Sequence, residues 1–106
     1  MELIKHNDYS LIKMNQFSKL TSLMTLLHKS TYKDHLILYI DILDINVDDK
    51  SPVLKLFPFH LIWQKRNKSF ILVSNIKKES TKGMISINTL EEALDFFNMD
   101  QLTKNI

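Results

Sequence analysis

Apolar and polar residues recur along this chain in two periods, and the periods predict its elements. Leu3-Ile4-Lys5 and Ser10-Leu11-Ile12-Lys13-Met14 read as two short strands. Asn7-Asp8 lies between them and favours a turn, so the simplest reading is a hairpin. From about Asn15 to Lys29 the apolar residues Phe17, Leu20, Leu23, Met24 and Leu27 recur at three- and four-residue steps. That spacing predicts one helical stripe. Asn15 suits the N-cap, because its side chain can accept a bond from a free N–H of the first turn, and Lys29 suits the negative pole at the other end. His35 to Ile42 is nearly all apolar and rich in β-formers. It predicts a central strand covered on both faces. Asp41 interrupts it at its C-terminal end, where turns and ligands gather in α/β sheets.

The second half repeats the alternation. Ser51 fits an N-cap and Pro52 the first helical position, which needs no N–H. Val53, Leu56, Phe57 and Leu61 are the expected buried stripe of this helix, and Pro58 is expected to kink or break it. Lys65-Arg66-Asn67-Lys68 marks its end. Ser69 to Ser74 reads as another buried strand, Asn75 to Gly83 as a polar loop with room for a helical turn, and Met84 to Ile87 as a short edge strand. Asn88 is the expected cap of a last helix, with Glu91 three residues on in a variant capping box. Leu90, Ala93, Leu94 and Phe97 form its stripe, and Asn98 to Ile106 either extends it or frays. The order is β-β-α-β-α-β-(α)-β-α. Strands alternating with helices imply an α/β sheet with parallel pairs and helices packed on it.

Length and composition narrow the picture. A chain of 106 residues makes a single domain, 1–106, able to bury its own core. With one Gly and two Pro there is no Gly-rich linker, and neither a repeat nor a low-complexity tract is present. The lack of cysteine excludes disulfides, thiol catalysis and thiolate metal sites. The longest apolar run, Leu36 to Ile40, ends at Asp41, far short of the roughly 20 residues of a membrane span. The N-terminus lacks the apolar region of a signal peptide, and the expected location is cytoplasmic. Net charge is only +2, and of 14 basic residues Arg66 is the one arginine. Arginine supplies the bidentate fork for phosphate and guanine, so nucleic-acid binding is disfavoured.

Residues able to carry chemistry are few and scattered. His6, His28, His35 and His60 have no pair three, four or five residues apart, so no zinc-hydrolase ligand set is present. Asp41, Asp44, Asp48 and Asp49 are the densest acidic cluster; such oxygens could hold Mg²⁺, but a solvated loop favouring a helix N-terminus is the better reading. Gly83 is the only glycine, which rules out glycine-rich phosphate loops. Ser51 has no histidine at motif spacing and no Gly-x-Ser-x-Gly elbow. No catalytic residue, metal or cofactor is expected. Phe59 and Trp63 are four apart and share a helical face distinct from the Val53/Leu56/Leu61 stripe. Either they are an exposed aromatic patch for a partner, or Trp63 packs beneath a neighbouring element. Lys65, Arg66 and Lys68 read as a solvated helix terminus.

Several local words carry a resemblance. Ile40-Asp41-Ile42, Asp49-Lys50-Ser51-Pro52, Ser69-Phe70-Ile71-Leu72-Val73 and Thr89-Leu90-Glu91-Glu92-Ala93-Leu94 occur in the order seen in STAS domains, the sulfate transporter and anti-sigma factor antagonist domains, over nearly the whole chain. Pro58, Asn67-Lys68-Ser69-Phe70, Thr89-Leu90-x-Glu92-Ala93 and Met99-Asp100 are similar to short, degenerate STAS-like proteins of Bacteroidetes, some of which carry the label ribonuclease Z. That enzyme is a zinc hydrolase with a His-x-His-x-Asp-His motif, which this sequence lacks. The resemblance implies a sandwich of about five strands in a mixed sheet with helices packed on it. It also implies a non-enzymatic, regulatory protein–protein interaction module. Its usual phosphoserine motif, Asp-Ser-Ser-Gly, is matched here by Asp49-Lys50-Ser51-Pro52, with lysine at the phosphoacceptor position, so the usual switch is not expected.

The expected partner surface is therefore Asp48, Asp49, Lys50 and Ser51 with Phe59 and Trp63, and the partner is another protein. The alternative is an accessory partner of an RNA-processing enzyme such as ribonuclease Z. A metal-dependent enzyme using Asp41, Asp48 and Asp49 ranks last. Oligomeric state stays open.

Overall fold

A computed structural model describes residues 2–14, 25, 27, 35–40, 51–74 and 83–104. The elements are β1 (Glu2–Lys5), β2 (Tyr9–Met14), β3 (His35–Ile40), α1 (Ser51–Lys65), β4 (Phe70–Val73), β5 (Ile85–Ile87) and α2 (Leu90–Lys104). The strands form one five-stranded sheet in the order β1-β2-β3-β4-β5. β1 runs antiparallel to β2, and β2, β3, β4 and β5 pair in parallel. The hairpin is as expected: Lys5 pairs with Ser10, and the His6 N–H donates to the Tyr9 carbonyl at 2.9 Å across Asn7-Asp8. Of the helix expected over 15–29, Thr25 and Leu27 are described, and both are helical. The turn expected within 75–83 and the ends of the flanking loops lie outside the described residues, Gly83 excepted.

Side chains alternate across the strands, and the two faces build two apolar clusters. Ile12 and Met14, Leu36 and Leu38, and Phe70 and Leu72 meet Leu27 and the inner side of α1. Leu11, Ile37, Ile71 and Val73 meet Ala93 and Phe97 of α2, with Leu90 and Leu94 packed at the margin. A sheet covered on both sides explains why β3 and β4 are apolar without alternation. At the start of this parallel pair the Leu36 N–H donates to the Ser69 carbonyl at 2.9 Å, and the Ser69 N–H donates to His35 Nδ1 at 2.8 Å.

Three expectations change in the helices. The stripe that α1 buries is Leu56, Phe59 and Trp63, not the set ending at Leu61, which is exposed. Steps of three and four residues place Leu56, Phe59, His60 and Trp63 on one side, whereas Leu61 lies well around the helix from Leu56. Second, α1 runs unbroken through Pro58. The lost N–H would have served the Leu54 carbonyl, and both residues are exposed, so water can take its place. Third, α2 is capped one residue later than expected: the Thr89 hydroxyl accepts the Glu92 N–H at 3.2 Å, and the Ala93 N–H donates to the Thr89 carbonyl at 3.0 Å. Thr89-x-x-Glu92 is the regular capping-box spacing, and α2 continues to Lys104.

The end of α1 follows a defined motif. The Lys68 N–H reaches back to the Trp63 carbonyl (2.9 Å) and the Asn67 N–H to the Gln64 carbonyl (3.0 Å). Asn67 has φ 56°, the left-handed conformation that this Schellman arrangement needs and that asparagine tolerates.

Candidate functional site

The residues expected to meet a partner fall into three groups. Asp48, Asp49 and Lys50 lie outside the described residues, as do Asp41 and Asp44. Ser51 is the first residue of α1. Phe59 and Trp63 are each 2 % exposed, and the exposed aromatic patch is corrected: both are core. The cause is the sheet beneath them. Trp63 meets Phe70 edge-to-face, centroids 5.6 Å apart, inside the cluster with Ile12, Met14, Leu36 and Leu38. An indole that large is worth more buried between helix and strand than held in water.

Turning Phe59 and Trp63 inward brings another set of side chains outward. Leu54, Pro58, Leu61 and Ile62 recur at helical spacing on the opposite side of α1. Leu54 is 54 % exposed, Leu61 42 % and Ile62 38 %. The only charged residues of α1 are Lys55 and Lys65. The chain thus spends apolar side chains on both faces of one helix, although a surface helix ordinarily keeps its outer face polar. This side of α1 is an apolar stripe with basic margins and no acid. The signal is present in the sequence as a second stripe at steps of four, three and one, of which the expected buried stripe took in only Leu61.

The described histidines have separate settings. His6 stacks on Tyr9 at 4.6 Å. His35 accepts from the Ser69 backbone and lies edge-to-face with Phe97. His60 is packed between Phe57 and Phe70, its Nδ1 is enclosed without a hydrogen-bond partner among the described residues, and burial pushes its pKa below the usual 6.5. Among the described residues, no three His, Cys, Asp or Glu side chains converge as a metal site would require.

A cleft of about 260 Å³ opens beside β4, between His60, Gln64, Lys68, Ser69 and Asp100. The Ser69 hydroxyl donates to Asp100 Oδ2 at 3.1 Å and accepts from Gln101 Nε2 at 3.3 Å. Ser69 is 5 % exposed, and the imidazole nearest it in bonding, His35, takes its backbone N–H rather than its hydroxyl. The arrangement ties α2 to the start of β4, and among the described residues no imidazole accepts from the Ser69 hydroxyl as the base beside an activated nucleophile would. No described helix is long and apolar enough to cross a membrane.

No family model and no curated protein matches this sequence. The narrower likeness to the short proteins labelled ribonuclease Z finds no support in these comparisons. A solved structure does match in three dimensions: a chain from the molecular architecture of the stressosome, described as a signal integration and transduction hub. The TM-score is 0.59 at 20% sequence identity, covering 92% of this chain and 96% of that one. The likeness is one of fold, and the fold is α/β and STAS-like, a five-stranded mixed sheet with helices packed on it.

Proposed function

We propose that this chain is a non-enzymatic protein–protein interaction module of a regulatory kind, acting in the cytoplasm, and that it meets its partner through the outer face of α1. The observation that carries this reading is the exposed apolar stripe Leu54–Pro58–Leu61–Ile62. Solvent contact with such a stripe is unfavourable, and a partner's apolar surface relieves it at roughly 25 cal/mol per Å² removed from water. The STAS-like fold supports the reading, since the stressosome chain of similar fold belongs to a signalling hub. Ser51 opens the same helix, so the expected contacts from Asp48, Asp49, Lys50 and Ser51 would extend this face at its N-terminal end. Lysine at the phosphoacceptor position argues for a contact that works without the usual phosphoserine switch. Nothing observed favours the accessory role beside ribonuclease Z.

A photo-crosslinking side chain at Leu61 tests the reading in living cells. Leu3 is the control, being 49 % exposed on the edge strand β1, three strands from β4. Position 61 should yield a discrete protein adduct and position 3 none. Equal yields at the two positions, or no adduct at 61, would refute the assignment.

A further inference from the structure

The two helices cover opposite faces of the sheet, and their outer sides differ in a complementary way. On α1 the stripe of Leu54, Pro58, Leu61 and Ile62 is followed by exposed Lys65, flanked by exposed Lys55, and carries no acid. On α2 the exposed side begins with Glu91, Glu92 and Asp95 and continues through Phe96, Met99 and Leu102. Met99 and Leu102 are each 69 % exposed and Phe96 37 %. One outer face is thus apolar first and basic last, the other acidic first and apolar last.

We infer that the partner of α1 is a second copy of this chain, whose α2 lies antiparallel along it. Eleven residues separate Leu54 from Lys65 and Glu91 from Leu102, so each face spans about 16 Å at the helical rise of about 1.5 Å per residue. Antiparallel alignment sets Lys65 over Glu92 and Asp95, Leu61 over Phe96, Pro58 over Met99, and Leu54 over Leu102. Parallel alignment would put Lys65 against Leu102 and Leu54 against Glu91, leaving both charge and apolar area unmatched. Antiparallel packing also places the negative pole of each helix against the positive pole of the other. Because α1 and α2 sit on opposite faces, a pair of copies makes one such contact and leaves one free face at each end. The association is heterologous, and it grows by addition rather than closing as a two-fold dimer. Two helix faces of this length bury less than about 1,200 Å² in total, the size class of weak, reversible contacts.

The inference rests on the outer face of α1 being an interaction surface, and the tests separate the two. Sedimentation velocity of the whole chain, from about 1 µM to about 1 mM, should show a mean mass that climbs continuously past that of a dimer. Leu61→Asp and Met99→Asp each leave an exposed position charged and should each sediment as folded monomers. Mixed in equal amounts they should form a one-to-one dimer and nothing larger, since each supplies the intact face that the other lacks. Lys65→Glu and Glu92→Lys should each weaken association about tenfold, and their mixture should recover it, because every junction then again pairs opposite charges. A wild-type chain that stays monomeric throughout, a mixture of the two aspartate variants that stays monomeric, or a Met99→Asp variant that still dimerises would overturn the inference. If the chain is monomeric and the crosslink at Leu61 captures a different protein, self-association fails while the α1 surface stands. If no adduct forms at Leu61, both fail.

Discussion

Trp63→Ala is the sharpest test of how α1 sits on the sheet. The side chain is 2 % exposed and packs against Phe70 within the cluster that also holds Leu56 and Phe59. A buried indole hides on the order of 200 Å², worth about 5 kcal/mol at 25 cal/mol per Å². Partial collapse of the site returns some of this, and buried tryptophan truncations cost about 3–5 kcal/mol. A domain of this length is stable by roughly 5–15 kcal/mol, so the variant loses a large fraction of its margin. With a urea dependence of about 2 kcal/mol per molar, the unfolding midpoint should fall by about 2 M. Far-UV circular dichroism is the proper readout, since Trp63 is the only tryptophan and the substitution removes the fluorophore. Leu61→Ala, two residues away but exposed, should move the midpoint by no more than about 0.5 kcal/mol equivalent. Similar shifts for the two variants would refute the assignment of Phe59 and Trp63 to the core and return the helix to the orientation expected from its first stripe.

Thr89→Ala removes the hydroxyl that accepts the Glu92 N–H and should cost about 1 kcal/mol in a urea titration, with Thr89→Ser restoring most of it. Asn67→Gly keeps the left-handed φ of 56° and should be neutral or slightly stabilising, whereas Asn67→Val should lose about 1–2 kcal/mol; a tolerated valine would mean that α1 ends differently. Burial lowers the pKa of His60 below 6.5, so the folded chain binds that proton less readily than the unfolded chain. The stability contributed by neutral His60 is complete above pH 6.5 and is lost as pH falls through the lowered value. The urea midpoint of wild type should therefore fall relative to that of His60→Leu between pH 7.5 and pH 5, as the wild type alone loses this contribution; parallel pH profiles would show that His60 titrates as it does in the unfolded chain.

The sheet was legible because β3 and β4 are apolar on both faces, a pattern that only a doubly covered strand explains. Helix α2 was legible too: Leu90, Ala93, Leu94 and Phe97 recur at steps of three, one and three, and Glu91, Glu92 and Asp95 mark the first turns of its outer side. Helix α1 was not, because it is apolar nearly all round and Leu56 belongs to either of two stripes. What decides between them is not in the helix. The strands beneath offer Phe70 and Leu72, a surface that the broad rings of Phe59 and Trp63 cover and that Leu61 would not. The cap of α2 slipped by one residue for a similar reason, since Glu91 and Glu92 satisfy the spacing from Asn88 and Thr89 equally. As for the candidate site, Leu54, Leu61 and Ile62 were visible as apolar positions, but a sequence does not say which of two apolar faces water touches.

The sheet order carries a consequence for how the chain is made. Every strand lies beside its predecessor and none is inserted between earlier ones, so a polypeptide emerging from the ribosome can extend its sheet by accretion at one growing edge. The cover for Ile37, Ile71 and Val73 comes last, in α2. Until that helix is synthesised the nascent sheet keeps one oily side bare, and a message truncated before Leu90 would release a product prone to clump rather than a smaller working protein.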